Sequence, residues 1–197
     1  MSLASAVRNP RLLTGGDPGL PRLIMITDQN RQGDMTGAVC RLPGGSAVIL
    51  RDYDAGNRVP LAQHLRRMTA ARGLMLLIAG DENLAEEVGA DGLHLPERLL
   101  PGAAAIRRRH PGWLITAASH SAGALRRAQT ARLDAALLSP VFPTRSHPNA
   151  PVLGAYRHRA LQNAAPRLPV YALGGVNITT VRRLPPGVQG WAAIDGI

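Results

Sequence analysis

Eight short runs of apolar residues recur along the chain, and each is followed by polar or glycine-rich sequence. They cover residues 23–26, 47–50, 74–79, 92–95, 113–117, 135–138, 169–173 and 190–194. Runs of this length, without alternation of polar and apolar positions, are typical of parallel strands that are buried on both faces. The pattern therefore predicts eight buried strands.

Helical patterns lie between most of these runs, so consecutive strands are expected to be joined by right-handed crossover connections. The predicted helical stretches are 60–71, 82–88, 101–109, 122–131 and 155–164, with one or two turns at 179–184. Eight such units close into a barrel more readily than they form an open sheet. The sequence therefore predicts an α/β fold, a (β/α)8 TIM barrel.

The two ends of the chain depart from this regular pattern. Residues 1–22 show no periodicity and are rich in glycine and proline, which predicts a partly disordered N-terminal arm ahead of one barrel at residues 23–197. The eighth run lies close to Ile197, so we expect the barrel to lack its last helix. Either the arm or a second subunit would cover the open flank, and a homodimer is therefore one expectation.

The amino-acid composition indicates the cellular compartment of the protein. No stretch approaches the roughly 18 continuous apolar residues of a membrane span, and no charged-then-apolar signal peptide opens the chain. Cys40 is the single cysteine, which excludes an internal disulfide framework and a cysteine-based zinc site. We therefore expect a cytoplasmic protein that does not bind a membrane.

The formal net charge of +10 comes from arginine, because the chain contains no lysine. This excludes a Schiff-base lysine, a phosphate-loop lysine and a lysine acid or base. The arginine clusters fall in predicted helices, where such side chains are usually solvated, although charge alone is compatible with nucleic acid. The whole chain has six aromatic residues and none lies inside these clusters, which argues against nucleic acid as the partner.

The stretch 135–154 carries the strongest chemical signal. An apolar strand ends there in a loop that four prolines interrupt, so the segment cannot continue as a helix or a central strand. The polar side chains of this loop are Ser139, Thr144, Arg145, Ser146 and His147. Hydroxyl and guanidinium groups can surround the oxygens of a phosphate. A small-molecule phosphate ester is the predicted ligand, and a plain solvated turn is the alternative.

Two further strand ends bear on phosphate binding. Gly174 and Gly175 follow the seventh strand, where barrels commonly bind phosphate through backbone amides. A tight turn is the alternative explanation for the glycine pair. Asp195 follows the eighth strand and argues against a phosphate, because a carboxylate repels a dianion. No acidic pair has the spacing of a metal site.

Histidines are the candidates for proton transfer near neutral pH. His94, His120 and His147 lie on or after strand ends, and His120 is the strongest candidate. The other three fall on or beside predicted helices and are expected at the surface, namely His64, His110 and His158.

Four motifs resemble those of the thiamin phosphate synthase/TenI family, whose members are (β/α)8 barrels in thiamin metabolism. They are ITD at 26–28, ADGLHLPE at 90–97, SPVFPT at 139–144 and LGGV at 173–176. The second and third motifs, in this order and spacing, are the specific ones. The resemblance runs from residue 23 to residue 197. It implies either the synthase, which joins a hydroxymethylpyrimidine diphosphate to a thiazole phosphate with magnesium, or its TenI-type relatives.

The resemblance also shows which half of the synthase site has been replaced. The positions that hold the diphosphate and magnesium in the family carry Ala79, Gly80 and Leu99, and two family lysines are replaced by Tyr53 and His147. Loss of the metal carboxylates and of both lysines removes several kcal/mol of charge stabilisation from a step in which diphosphate leaves. The resemblance therefore favours a site without metal.

The half that faces the thiazole phosphate in the family is retained. Thr144, Ser146, Gly174 and Gly175 match it, and the family's strand-two arginine is present as Arg51. TenI-type members of the family share this pattern, in which the thiazole phosphate half is retained and the diphosphate half is replaced, and this chain resembles them. The resemblance implies that they are tautomerases without metal that aromatise a thiazole carboxylate phosphate, using a histidine that aligns with His120.

These features lead to three hypotheses. The first is a TenI-like enzyme without a cofactor, in which His120 moves a proton. Its predicted substrate-binding residues are Arg51, Thr144, Arg145, Ser146, His147, Gly174 and Gly175. The second is a thiamin phosphate synthase, a transferase with a rearranged magnesium-dependent diphosphate site. The third is a barrel that binds a thiamin precursor or a protein partner without catalysis.

Overall fold

Eight parallel strands form a closed barrel in sequence order. The computed structural model describes residues 2–7, 16–145, 151–184 and 187–197. The strands are β1 Leu23–Ile26, β2 Ala47–Leu50, β3 Met75–Ala79, β4 Gly92–Leu95, β5 Leu114–Ser119, β6 Ala135–Leu138, β7 Val170–Leu173 and β8 Gly190–Ala193. Each pairs in parallel with its neighbours, and β1 pairs with β8. The predicted (β/α)8 barrel is confirmed.

Helices connect most of the strands on the outside of the barrel. They are α1 Leu3–Ala6, α2 Met35–Arg41, α3 Arg58–Ala71, α4 Glu82–Glu87, α5 Ala103–Arg109, α6 Ala122–Thr130 and α7 Gly154–Gln162. Two 3-10 segments, Glu97–Gly102 and Val181–Arg183, complete the connections, and the second stands where a helix would follow β7. Residues 194–197, which follow β8, form no helix.

Helix α2 was not predicted. Gly37 lies inside it, and a glycine in a helix costs about 1 kcal/mol relative to alanine, which weakens the sequence signal. The helix nevertheless begins at a favourable N-cap, because the Asp34 carboxylate accepts a hydrogen bond of 2.7 Å from the Gly37 amide. Its buried residues Ala38 and Val39 pack against the strands.

Side chains of each strand alternate between the barrel interior and the layer beneath the helices. The interior cluster contains Ile24, Ile26, Ala47, Ile49, Leu77, Ala79, Ala135, Leu137, Tyr171 and Ala192. The outward-facing residues join the buried faces of the helices in a second, larger cluster. Because both faces of every strand are buried, the strands have the continuous apolar runs seen in the sequence.

Two aspartates reinforce the barrel at the start of alternate strands. Asp91, before β4, accepts a 2.7 Å hydrogen bond from the amide of Leu76 in β3 and pairs with Arg66 of α3. Asp134, before β6, accepts a 2.7 Å hydrogen bond from the amide of Ile115 in β5 and pairs with an arginine of α5. In both places one carboxylate joins two strands and a helix.

Described parts of the predicted N-terminal arm pack against the barrel. Leu3 of α1 is fully buried, and its amide donates to the carbonyl oxygen of Gly196 at 3.2 Å. The side chain of Gln189 bonds both backbone groups of Asp17, accepting from the amide at 2.7 Å and donating to the carbonyl at 2.9 Å. Residues 16–22 thereby lie across the N-terminal end of the barrel. Residues 1 and 8–15 lie outside the described residues.

The expected surface location is wrong for His158. This side chain is fully buried and is the one buried residue in the described helix α7, whose neighbour Tyr156 is 95% exposed. The short apolar face of α7 gives little periodicity from which burial could be read. His110 is half-buried and stacks on the ring of Trp113 at 3.6 Å, whereas His64 is exposed.

Replacement of Gly92 by alanine should destabilise the barrel. A Cβ atom at Gly92 would lie 1.9 Å from the carbonyl oxygen of Leu114 in the paired strand β5. We expect Gly92→Ala to lower the free energy of unfolding by roughly 3 kcal/mol, because β4 and β5 must separate. Gly112→Ala is the matched control, since a Cβ there meets no atom within 4 Å. Urea unfolding of both variants measures the difference, and equal stabilities would contradict this account of strand packing.

The free energy of unfolding should fall as the pH is lowered from about 6.5 to 4. Burial lowers the pKa of His158 and of His94 to about 4, whereas a histidine in the unfolded chain titrates near 6.5. Between these values the unfolded chain binds protons that the folded chain does not. Each histidine therefore removes up to about 3 kcal/mol of stability at the acid end, and none above pH 6.5.

His158→Met should abolish about half of this histidine-dependent fall in urea titrations at several pH values, because it removes one of the two groups. His64→Asn, at an exposed position on α3, should leave the pH dependence unchanged. If the His158→Met protein keeps the wild-type pH dependence, the burial of His158 does not act as described.

Candidate active site

The C-terminal ends of the strands surround a cavity of about 800 Å³. This volume lies in the range of small-molecule sites. The predicted residues that line it are Arg51, His120, Thr144, Arg145, Gly174 and Gly175. The fold therefore brings these six together from four different strand ends. Ser146 and His147 lie outside the described residues, so their positions stay predictions.

His94 lies at the floor of this cavity, inside the barrel. Its Nδ1 atom is 2.9 Å from the Thr116 hydroxyl on the neighbouring strand. Burial, together with the positive charge of Arg51, lowers the pKa of His94 to about 4. The imidazole is therefore neutral at neutral pH. The small side chain of Ala118, which lies one layer above Thr116, also lines the cavity.

His120 follows β5 and lies at the side of the cavity. Its Nδ1 atom is 3.0 Å from the carbonyl oxygen of Ser139 and 3.2 Å from the Ser139 hydroxyl. A carbonyl oxygen can only accept, so Nδ1 carries the proton in this geometry. The Nε2 atom of the neutral ring is then a proton acceptor, and no described residue bonds it. A neutral imidazole held in this way can accept a proton at Nε2.

Glu97 holds the His120 backbone in place. One carboxylate oxygen accepts a hydrogen bond from the His120 amide at 3.1 Å, and the other pairs with Arg127 of α6 at 3.1 Å. The carboxylate thus ties the end of β5 to α6. Glu97 belongs to the ADGLHLPE motif, which was the available sequence signal, but spacing alone did not indicate this contact.

The loop after β6 packs closely on the loop after β7. The amides of Val141 and Phe142 donate to the carbonyl oxygens of Leu173 and Gly174 at 2.9 and 3.0 Å. A Cβ atom at Gly175 would lie 2.3 Å from the carbonyl oxygen of Pro143, and the φ angle of Gly175 is +63°. Only glycine permits both the close approach and this backbone conformation.

Backbone amides of the β7 loop are available to a ligand. Gly175 and Val176 line the cavity, and their amides donate to no acceptor in the described ranges. Consecutive amides in a glycine-containing loop form a concave group of donors that suits an anion such as phosphate. The Asn177 carboxamide stabilises the following turn by accepting from the amides of Thr179 and Thr180 at 2.9 and 3.1 Å.

Arginines neutralise the acidic residues at the cavity mouth. Asp195 pairs with Arg31, which follows β1 and was not among the predicted site residues. Because Arg31 compensates the charge of Asp195, this carboxylate repels a phosphate less than an unpaired one would. Arg51 pairs with Asp28 at 2.7 Å. Arg145 is exposed and forms no ion pair with a described acidic residue.

Acidic side chains that follow the strands have protein partners. Among residues 2–7, 16–145, 151–184 and 187–197, no three histidine, cysteine, aspartate or glutamate side chains come together to hold a metal ion. Asp52 accepts hydrogen bonds from the Thr27 hydroxyl and the Gln29 amide. Asp81 caps α4 and pairs with Arg58 at 3.1 Å. Asp52 and Asp81 are thus already engaged in hydrogen bonds or an ion pair. No described helix is long and apolar enough to cross a membrane.

Comparison with known proteins identifies the family of this chain. The sequence model of the thiamine monophosphate synthase family matches residues 23–197. A thiamine-phosphate synthase from Methanoculleus marisnigri is 34% identical over 183 residues, which are 89% of this chain and 86% of that protein. One from Pyrococcus horikoshii is 29% identical, with coverage of 89% and 86%.

Solved structures give the same relationship. The thiamine phosphate pyrophosphorylase of Pyrococcus furiosus superposes with a TM-score of 0.73 and 25% identity, covering 89% of this chain and 86% of that one. The residues that match the family model, 23–197, include all those that line the cavity. The chain therefore belongs to the thiamin phosphate synthase/TenI family.

Proposed function

We propose that this chain is a tautomerase that needs no metal, binds a thiazole phosphate and moves one proton on the thiazole. The observation that carries the proposal is the geometry of His120. Its Nδ1–H is fixed by the Ser139 carbonyl oxygen, so Nε2 is left as the acceptor beside the cavity. A tautomerisation needs such a group and a phosphate anchor, and no other reagent.

The proposed chemistry is an isomerisation. Nε2 of His120 takes a proton from one position of the non-aromatic thiazole carboxylate, and the resulting imidazolium returns a proton to another position of the conjugated system. The composition of the ligand does not change, and the product is the aromatic ring. While the ring of His120 is charged, its Nδ1–H bond to the Ser139 carbonyl oxygen stabilises it.

The proposed anchor for the phosphate is the β7 loop with the loop that follows β6. The amides of Gly175 and Val176 supply neutral donors, and the Thr144 hydroxyl and Arg145 guanidinium lie on the same cavity wall. Arg31 and Arg51 already compensate aspartates. One guanidinium without an acidic partner matches a monophosphate better than a diphosphate, which carries more charge.

Thiamin phosphate synthesis is the second candidate function, and the names of the relatives favour it. Both curated relatives and the solved structure described above are named as thiamin phosphate synthases or pyrophosphorylases. That reaction uses the same thiazole phosphate together with a pyrimidine diphosphate and magnesium in the family. The diphosphate and magnesium half of the synthase site would need polar or acidic side chains where this chain has Ala79, Gly80 and Leu99. We therefore rank thiamin phosphate synthesis below the tautomerase reaction.

His120→Asn should abolish proton transfer while leaving ligand binding intact. Loss of a general base lowers kcat by about 10²–10⁴-fold, whereas the affinity for thiazole phosphate should change by less than about threefold, because the anchor is elsewhere. Proton NMR of the tautomer conversion and calorimetry of binding measure the two effects.

His64→Asn is the matched control and should retain the wild-type rate, because His64 is exposed on α3. A wild-type rate in His120→Asn would show that another group moves the proton. Binding without turnover in the wild-type chain would favour the barrel that binds without catalysis.

Gly175→Ala should weaken thiazole phosphate binding by about tenfold or more. The added Cβ would lie 2.3 Å from the Pro143 carbonyl oxygen, so the two loops must move apart and the amides lose their alignment. Gly154→Ala is the matched control, since Gly154 has a similar φ of +66° but no atom within 4 Å of a Cβ. Calorimetry measures the affinity of both variants for thiazole phosphate, and urea unfolding checks that both are folded. Wild-type affinity in a folded Gly175→Ala protein would remove the β7 loop from the phosphate site.

A further inference from the structure

A second cavity, of about 320 Å³, lies at the opposite end of the barrel. It is formed where α7 ends, where the chain enters β7 and β8, and where residues 16–17 cross the barrel. We call it the lower cavity and define it by Asp17, Arg159, Gln162, Asn163, Arg167 and Gln189. It shares no lining residue with the cavity described above.

The carboxamide of Gln162 in the wall of the lower cavity has no hydrogen-bond partner among the described residues. Both its nitrogen and its oxygen are buried, and neither bonds any of the described residues. An amide supplies donors and an acceptor at once. Leaving such groups buried and unpaired costs about 1–3 kcal/mol each, so native structures usually satisfy them with protein, water or ligand. Gln162 therefore indicates an occupant with both a donor and an acceptor.

Charges of both signs surround this amide. Arg159 and Arg167 line the cavity, and a guanidinium matches a carboxylate in a planar, bidentate way. Asp17 lines the same cavity, and its carboxylate accepts one hydrogen bond from the Gly19 amide at 2.8 Å. The C-terminal end of α7 is there as well, and the helix dipole makes that end favourable for a cation. A simple anion would meet Asp17 and the negative helix end.

We propose that the lower cavity binds a small zwitterion with one carboxylate and one ammonium group, such as a free amino acid. The carboxylate pairs with Arg159 or Arg167, and the ammonium group pairs with Asp17 and the last carbonyl oxygens of α7. Gln162 then bonds the polar atoms between the two charged ends. Gln189 is occupied by its two hydrogen bonds to the Asp17 backbone and keeps that residue at the cavity wall.

Calorimetry of the full chain with a panel of free L-amino acids and glycine tests the proposal. At least one should bind with a Kd of about 1 mM or tighter, and sodium acetate and methylamine, which each carry one of the two charges, should bind at least about tenfold more weakly. Absence of binding by every amino acid at about 10 mM would overturn the proposal. Tighter binding of inorganic phosphate than of any amino acid would also overturn it. The same holds for a crystal structure, grown with the amino acid, in which the lower cavity contains ordered water only.

Variants locate the ligand. Arg167→Gln and Gln162→Leu should each weaken amino-acid binding by about tenfold or more, because each removes a charged or buried hydrogen-bonding partner. Arg167 is exposed, so its replacement leaves the fold intact even if Gln162→Leu does not. Arg145→Gln, the matched change in the other cavity, should leave the affinity unchanged. Loss of binding in Arg145→Gln with wild-type binding in Arg167→Gln would place the ligand in the other cavity and contradict the proposal.

Discussion

The pairing of β1 with β8 is the contact on which the candidate site depends. It closes the barrel, and closure brings the loop after β8 beside the loop after β1. Gly190 permits this pairing, because a Cβ there would lie 2.1 Å from the Arg22 carbonyl oxygen. Side chains then cross the same seam. Gln32 donates to the carbonyl oxygen of Ile194 at 2.6 Å, and Arg31 pairs with Asp195. The seam is thus both a structural joint and one wall of the cavity.

Arginine determines which chemistry the strand ends can support. Three acidic side chains that follow strands are paired with guanidinium groups, in Arg51–Asp28, Arg31–Asp195 and Arg58–Asp81. A carboxylate that is already compensated is a poor ligand for a divalent cation, because binding would have to displace the arginine. The same pairing lowers the repulsion that a phosphate would meet. This pairing supports the proposal that the site binds a phosphate ester and not a metal-bound diphosphate.

Much of the architecture followed from the sequence because both faces of the strands are buried. Continuous apolar runs gave all eight strands within one or two residues, and parallel pairing placed their polar ends together. This is why Arg51, His120 and the β7 glycines meet at one cavity. Helix α2 was missed because Gly37 weakens its pattern, although Asp34 at its N-cap was a readable signal.

Contacts between residues that are far apart in the chain could not be predicted from local sequence. Arg31 and Asp195 are 164 positions apart, so nothing in either neighbourhood indicates their pairing. The burial of His158 depends on how α7 lies against the barrel, since the helix itself has few apolar residues. The hydrogen bond from His120 to the Ser139 carbonyl oxygen likewise arises only when β5 and β6 are adjacent. That bond gives His120 its proposed role.

The central claim is that the cavity binds a thiazole monophosphate without metal. Titration calorimetry of the full chain with thiazole phosphate, once in EDTA and once in magnesium, tests it most directly. We expect the same affinity in both buffers, together with no magnesium-dependent binding of hydroxymethylpyrimidine diphosphate. Binding of the diphosphate that requires magnesium, with formation of thiamin phosphate when both ligands are present, would contradict the account and establish the synthase reaction instead.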